Sequence, residues 1–507
     1  MEGLEVSEVL LSRAIENKDS RMDSDFWTKE PKKNPKLQYK KIGDILTSSQ
    51  YGISIAMNED GIGYPIYRMN EIHNMLCDLA INKSADITAS EFEKFELKDK
   101  DVLFNRTNSF EWVGRTGIYY QNDKIARIFA SYLVRFNPDE NIVLPEYLAT
   151  FLNTKQGIWD VKRRARQSIN QTNVNPEEVK EIEIPVLPMD FQKQIRIRFE
   201  EANKNRILSQ SLYRQAEELF LETIGLNHPL PIEEARISIN IKSFKESFLT
   251  TGRLDAEYYQ QKYEEIENII KSYPNGYCKL KDIGEFRNGS LISDKFYVNK
   301  SQRAYIRIKE LSFNQPISDN DVVFIDDSFI ATNETTVHTN DFVFATIGNT
   351  IGKVNLIPEC YNGSFISNNT SRFRSSKIEF YPFYELLFRT IIVQEQIQKE
   401  FTQTAQPKIG NESLENIIIP LVNKELQRRI AELVTQSFTL RKESERLLVE
   451  AKETVEGEIS ASNKLEQSQA IYRQAEELLL ENIGLNHPLP TGGGGPASTL
   501  RVSKNPS

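Results

Sequence analysis

Between residues 162 and 171 the chain reads Lys162-Arg163-Arg164-Ala165-Arg166-Gln167-Ser168-Ile169-Asn170-Gln171, four cations in five positions followed by Gln167 and then by the amide pair Asn170-Gln171. The cations can neutralise phosphates, and the side chains of Asn170 and Gln171 can bond an adenine edge. A charge run is also the ordinary solvated face of a helix, so both readings stay open for this cluster. A second stretch, Asn105-Arg106-Thr107-Asn108-Ser109, sets five hydrogen-bonding side chains directly after the apolar Val102-Leu103-Phe104. Folding gains nothing from polar groups there, and loops carried on rigid strands are where binding residues collect. The other half of the chain offers the same residue types at Arg287-Asn288, Arg307, Lys309, Thr346, Asn349, Lys353, Asn368-Asn369 and Arg372.

Catalysis has no comparable foothold. There is no Asn/Asp-Pro-Pro-Tyr/Phe segment to hold an exocyclic amine for methyl transfer, and no Phe-x-Gly-x-Gly for adenosylmethionine. Gly348-Asn-Thr-Ile-Gly352-Lys353 imitates a phosphate loop, but only three residues separate its glycines and Val354 stands where a Mg²⁺-binding hydroxyl is needed. Glu96-Leu97-Lys98 could imitate part of a nuclease motif, yet Pro138-Asp139 follows it in the wrong order, so a solvated turn is the better reading. His73, His228, His338 and His487 and the widely separated Cys77, Cys278 and Cys360 form neither a metal-ligand cluster nor a disulfide framework.

The polar stretches must be positioned by elements that the sequence pattern announces. DVLFNRTNS (101–109) and DFVFATIGNT (341–350) are apolar, β-branched runs ending in turn residues, which predicts strands opening into loops. Residues 209–231 recur at 468–490 with 19 identities in 23 positions, at an offset of 259. Fainter echoes keep the same order: RMDSDFW from Arg21 with RLDAEYY from Arg253, KKIGDI from Lys40 with CKLKDI from Cys278, and IPVLPMDFQKQI from Ile184 with IPLVNKELQRRI from Ile419. The chain therefore reads as two tandem α/β (mixed) globular domains, each closed by a long polar helix.

In those helices apolar residues fall at heptad spacing. One track is Leu426, Ile430, Leu433, Leu440, Leu447 and Ala451, interrupted by Ser437 and Ser444; the other is Ile195, Phe199 and Ala202, then Leu212, Ala216 and Leu219, with a C-cap at Ile224-Gly225 ahead of Pro229. Pairing the two helices antiparallel satisfies both tracks and relates the domains by an approximate twofold axis, although each helix could instead cover only its own domain. A helix from Phe191 to Gly225 would span roughly 52 Å, a caliper on the scale of a turn and a half of duplex DNA. The second arm is longer, with 45 residues from Gln427 to Tyr472 against 21 from Gln192 to Tyr213. Gly457 and the Ser460 to Asn463 stretch predict a break in it.

With 507 residues, about three folding units are expected. Lys+Arg 63 against Asp+Glu 72 gives a net charge of -9, which excludes a uniformly basic binder but not local basic patches. No run of apolar residues is long enough to cross a membrane, and the acidic N-terminus lacks the layout of a secretory signal, so a cytoplasmic protein is expected.

Several of these segments together resemble the DNA sequence-specificity subunit of type I restriction-modification systems. QYGIS (50–54), GYPIYRMNEI (63–72), DVLFNRTNSFEWVGRTGIY (101–119), FASYLVRF (129–136) and IPVLPMDFQKQI (184–195) look like the successive blocks of a target-recognition domain in that family. AYIRIKEL (304–311), DFVFATIGNTIGKV (341–354) and Gln406-Pro407-Lys408-Ile409 match the same blocks more loosely. The blocks add Gln50, Tyr51, Arg68, Asn70 and Lys408 to the candidate DNA contacts.

The resemblance implies a noncatalytic reader. It implies recognition domains at 21–190 and 253–420, each reading half of a bipartite double-stranded DNA site, with helices at 191–231 and 421–490 setting the spacer. An N-terminal helical segment (1–20), a connector (232–252) and a flexible tail (491–507) complete the partition. It further implies that this chain binds no cofactor, while two modification subunits dock on the helices and bring S-adenosylmethionine for adenine-N6 methylation. Motor-nuclease subunits would join for restriction. A reader beside a fused methyltransferase-nuclease polypeptide, and a coiled-coil scaffold whose domains bind protein, remain alternatives.

Overall fold

The computed structural model describes residues 8–16, 21–169, 171–226, 240–317, 322–330, 336–401 and 407–482, with side chains of the last helix described as far as residue 460. The chain divides into two compact units, one formed by the chain up to Arg198 together with the part from Val449 onward, the other by Phe199–Leu448.

In the first unit the strands that matter are β1 (Leu46–Tyr51), β2 (Tyr64–Tyr67), β3 (Val102–Asn105), β4 (Thr116–Ile118), β5 (Ile128–Phe129) and β6 (Leu133–Pro138). The main sheet runs β1-β6-β3-β4 and continues into two short strands, Leu76–Cys77 and Ile72–His73. Every residue of β3 is buried, which explains the apolar run Val102-Leu103-Phe104 that precedes its last residue, Asn105. β2 lies in a separate small sheet, parallel to β5, with Ile66 opposite Ile128. Helices α1 (Pro145–Asn153) and α2 (Lys155–Arg164) follow, joined at Thr154, whose hydroxyl caps α2 by accepting from the Gly157 amide at 3.1 Å. The chain then enters α3 (Met189–Thr223).

The second unit repeats this plan with α4 (Gln261–Lys271), β7 (Glu285–Asn288), β8 (Ala304–Ile306), β9 (Phe342–Ala345), β10 (Val354–Leu356), β11 (Phe365–Ile366), β12 (Thr370–Arg374), α5 (Tyr381–Arg389), α6 (Ile391–Lys399) and α7 (Lys424–Asn482). Its sheet order is β7-β12-β9-β10. The register repeats as well. Val134 faces Tyr51 on one side and Phe104 on the other, just as Ser371 faces Asn288 and Phe344. β8 runs parallel to β11, as β2 does to β5. The tandem duplication read from faint sequence echoes is thus a duplication of fold.

Within the second unit α3 and α7 lie antiparallel. The hydroxyl of Ser437 donates to the carbonyl of Ser209 at 2.7 Å, and that of Ser444 to the carbonyl of Ala202, also at 2.7 Å. The two serines expected to interrupt the seam therefore bind it together. Tyr213 stacks on Phe438 beside them. Ala216 and Phe220 of α3, with Ile224 just past its end, join Ile266 and Ile270 of α4 and Ile430 and Val434 of α7 in one core. Two details differ from the expected tracks. Leu426, Leu433 and Leu440 are only half-buried, as are Leu212 and Leu219; Val434 and Leu448 are fully buried instead. A straight helix drifts against a strict heptad by about 20° per repeat, so the buried line moves to the neighbouring position.

α3 ends as predicted. Gly225 adopts a left-handed φ of 86°, and the Leu226 amide reaches back to the carbonyl of Leu221 at 2.9 Å. Pro229 lies outside the described residues, as does the tail from 491. α7 does not break: one helix runs through Gly457 and Ser460 to Asn482. The cost of an exposed glycine, about 1 kcal/mol, is offset by burial of Val455 and Ile459 on either side of it.

Candidate nucleic-acid interface

In the first unit the chain leaves β3 at Asn105 and turns outward. Asn105 itself is fully buried, its amide donating to the Met69 carbonyl at 3.4 Å and accepting from the Thr107 amide at 3.3 Å, so it shapes the loop. Thr107 and Asn108 then pair with Asn173 and Thr172, which pair in turn with Arg166 and Gln167. This three-stranded patch brings the two sequence-predicted stretches together. Arg166 and Gln171 are exposed on it, Asn108 is half-buried, and Asn170 lies outside the described residues.

Cations and aromatic rings interleave around the patch. The Arg106 guanidinium lies 5.1 Å from the centroid of the exposed Tyr51 ring and donates to the Ser131 carbonyl at 3.4 Å. Arg115 lies 3.8 Å from the Trp112 ring, and Lys162 lies 5.0 Å from Phe110. Burial lowers the ordinary affinity of Arg115 for its proton, an effect opposed by the charges of Asp78 and Glu111. Exposed aromatic faces beside cations can stack on bases while the cations meet phosphates. The sequence reading passed over Phe110, Trp112 and Arg115; the signal was two large aromatics inside an otherwise polar loop. Arg68, Asn70, Ser54, Ser131 and Tyr132 line an adjoining cavity of about 380 Å³.

Other predicted contacts turn inward. Arg163 and Arg164 are buried: Arg163 donates to the Phe26 carbonyl at 2.8 Å and pairs with Asp160, while Arg164 donates to the Glu178 carbonyl at 3.0 Å and forms an ion pair with Asp160 at 2.9 Å. Both guanidinium groups lie near the Phe26 ring. The expected row of phosphate-facing cations thus splits: Arg163 and Arg164, the last two residues of α2, both turn in to Asp160 and Phe26, while Lys162 stays half-exposed and Arg166, on the short strand beyond the helix, faces out. Gln50 is likewise engaged, donating to the Lys94 carbonyl at 2.9 Å and accepting from Arg135.

The second unit builds a similar edge with different residues. Loop 346–349 meets segment 407–409, with the Gly348 amide donating to the Pro407 carbonyl at 2.9 Å and Ile347 bridging Lys408. Asn349, Lys408, Asn368, Arg287 and Asn288 are exposed there or on neighbouring strands, and Asn369 is half-buried. Lys353 lies 6.0 Å from the exposed Phe313 ring, and burial pushes its ammonium below the ordinary lysine range. Lys309 is exposed beside Glu310, and Arg307 is held by the same carboxylate. Arg372 is a correction: it is buried, donating to the Thr336 carbonyl at 2.8 Å, and so supports the sheet from within.

The family model for the type I restriction modification DNA specificity domain matches this chain twice, at residues 34–217 and 275–449, together well over half its length. The chain belongs to that family. The first match takes in the main sheet of the first unit, α1, α2 and most of α3; the second takes in the β7-β12-β9-β10 sheet, α5, α6 and the first 26 residues of α7. Curated relatives include a specificity subunit ascribed to the MjaX type I restriction enzyme of Methanocaldococcus jannaschii, 30% identical over 159 residues, 31% of this chain and 37% of that one. The EcoKI specificity subunit of Escherichia coli is 26% identical over 158 residues, 31% of this chain and 34% of that one. The alignments thus span about a third of each relative. A solved type I S subunit from M. genitalium aligns over 84% of this chain and 97% of its own, with 14% identity and a TM-score of 0.41. Among the described residues no group of side chains could hold a metal ion, and no helix is long and apolar enough to cross a membrane.

Proposed function

We propose that this specificity subunit reads a bipartite asymmetric DNA site, one half with each unit, and catalyses nothing itself. The observation that carries the reading is the recurrence, in both units, of a polar edge with cations beside exposed aromatics at the loop leaving the central strand, on sheets of the same order and register. In the first half the reading edge comprises Arg106, Asn108, Arg166 and Gln171 with Trp112 and Arg115 beside them; in the second it comprises Asn349, Lys353, Lys408 and Lys309. Phosphate contacts from the cations set register on the duplex, and amides and guanidinium groups read base edges.

The helices α3 and α7 set the separation of the two half-sites and dock methyltransferase subunits, two in the simplest arrangement. Those subunits carry S-adenosylmethionine and methylate adenine N6, and motor-nuclease subunits complete the restriction complex. A net negative chain fits this division, since only local edges need to be basic. The test is single-molecule sequencing of methylated DNA from cells expressing this chain with its neighbouring methyltransferase. A two-part motif with a fixed gap is expected; a single continuous motif, or none, would refute the reading.

A further inference from the structure

One side-chain device occurs twice, at the same place in each unit, while the residues inside it differ. The parallel strand β2 ends in Arg68-Met69-Asn70-Glu71, and its counterpart β8 ends in Arg307-Ile308-Lys309-Glu310. In both, the Glu amide donates to the Arg carbonyl, at 3.3 Å and 3.1 Å, closing a turn. In both, one carboxylate oxygen accepts from the Arg backbone amide, at 2.8 Å from Glu71 and 2.7 Å from Glu310. The other oxygen takes the guanidinium: Arg68 through Nε at 3.2 Å and Nη2, Arg307 through Nη2 at 2.7 Å. The glutamates are 8% and 1% exposed, whereas the arginine side chains keep 26% and 24%.

A turn alone does not need this arrangement. A neutral amide could accept the backbone N–H, and a carboxylate taken out of water costs several kcal/mol unless its charge is used. What the carboxylate adds is orientation: it holds Nε and Nη2 of the Arg68 guanidinium and Nη2 of Arg307, which restricts the direction each guanidinium plane can face. For Arg68 the gripped edge is Nε and Nη2, and the side chain lines the cavity shared with Asn70, Ser54, Ser131 and Tyr132.

We propose that Arg68 and Arg307 are matched specificity-determining contacts, each presenting an aimed guanidinium to the DNA of its own half-site, with Glu71 and Glu310 as positioning residues. This rests on the bipartite reading above and deepens it. The test uses the complex assembled with its methyltransferase partner, and duplexes carrying the intact site, either half scrambled, or both. Arg68→Ala should weaken binding to the intact site about tenfold or more, with no further loss once the half read by the first unit is scrambled. Arg307→Ala should do the converse. Arg68→Lys should fail to restore binding, because an ammonium keeps the charge but not the aimed fork, and Glu71→Gln should give a smaller loss at the same half. Equal losses on all duplexes, no loss, or a fall in melting temperature without half-site selectivity would overturn the inference. A wild-type complex unable to tell the intact site from doubly scrambled DNA would instead overturn the bipartite reading beneath it.

Discussion

Ser444 donates its hydroxyl to the carbonyl of Ala202, and seven residues earlier Ser437 does the same to Ser209. These two bonds exchange places when α3 positions are advanced by 235 to α7 positions, since Ser209 becomes Ser444 and Ala202 becomes Ser437. The same shift carries Ala216, Phe220 and Ile224, buried in the second unit, onto Ala451, Val455 and Ile459, buried in the first. The structural counterpart of the end of α3 is therefore residues 444–459, not the near-identical sequence copy 24 residues further on.

Each interhelix serine bond should contribute modestly and similarly. Ser437→Ala and Ser444→Ala should each lower unfolding free energy by about 1 kcal/mol, because the accepting carbonyls remain bonded within α3. Ser437→Leu should cost more, about 1–3 kcal/mol, since the space accommodates only a hydroxymethyl group. Chemical denaturation of the full chain measures both.

Because Ala451, Val455 and Ile459 already fill the first unit's helix position, removing residues 461–507 should leave both methylated half-sites and the gap unchanged. Ile459→Ala in the full chain should be harmful by contrast, destabilising it by about 2–4 kcal/mol through the cavity left where the buried Ile459 side chain stood. Methylome sequencing of the truncated chain and thermal melting of the substituted one decide the matter. A changed motif after truncation would mean that the terminal copy is the working one.

The cation cluster should divide by burial. Arg163→Ala should destabilise the first unit by about 1–3 kcal/mol, because the Phe26 carbonyl loses its partner and Asp160 keeps only Arg164. Arg166→Ala, at an exposed position, should cost less stability than Arg163→Ala and reduce the slope of log affinity against log salt by about 1, as one phosphate contact is lost. Salt titrations of DNA binding beside thermal melts would separate the two.

These contrasts show which features the sequence made legible. Apolar periodicity announced β3, its counterpart β9, and both long helices, since burial on a sheet or along a seam leaves a repeating trace. The left-handed cap at Gly225 was equally plain, because few other residues tolerate that backbone. The inward turn of Arg163 and Arg164 left no such trace: their partners Phe26, Asp160 and Glu178 lie on three different segments, and a basic run looks the same whichever way it faces. Sequence identity also misled at the second arm. Packing instead tracks small and apolar residues four apart on one helix face, which Ala451, Val455 and Ile459 satisfy with little identity to their counterparts.

The assignment of one half-site to each unit predicts what an exchange would do. Replacing residues 253–420 with the same region of a relative substitutes β7 to β12, the loops they carry and helices α4 to α6, but leaves the first unit's reading edge untouched. One half of the methylated sequence should change and the other should stay. Insertions in the paired stretches of α3 and α7 should act differently, altering the gap while preserving both halves, because each added helical residue advances the axis by about 1.5 Å and rotates it by about 100°. Insertions out of step with the heptad should reduce activity, since they turn Ser209 away from Ser437 and expose the seam. Methylome sequencing reads all these outcomes. If a functional exchange rewrote both half-sites together, base reading would be shared between the units, and the repeated edge could not be assigned half by half.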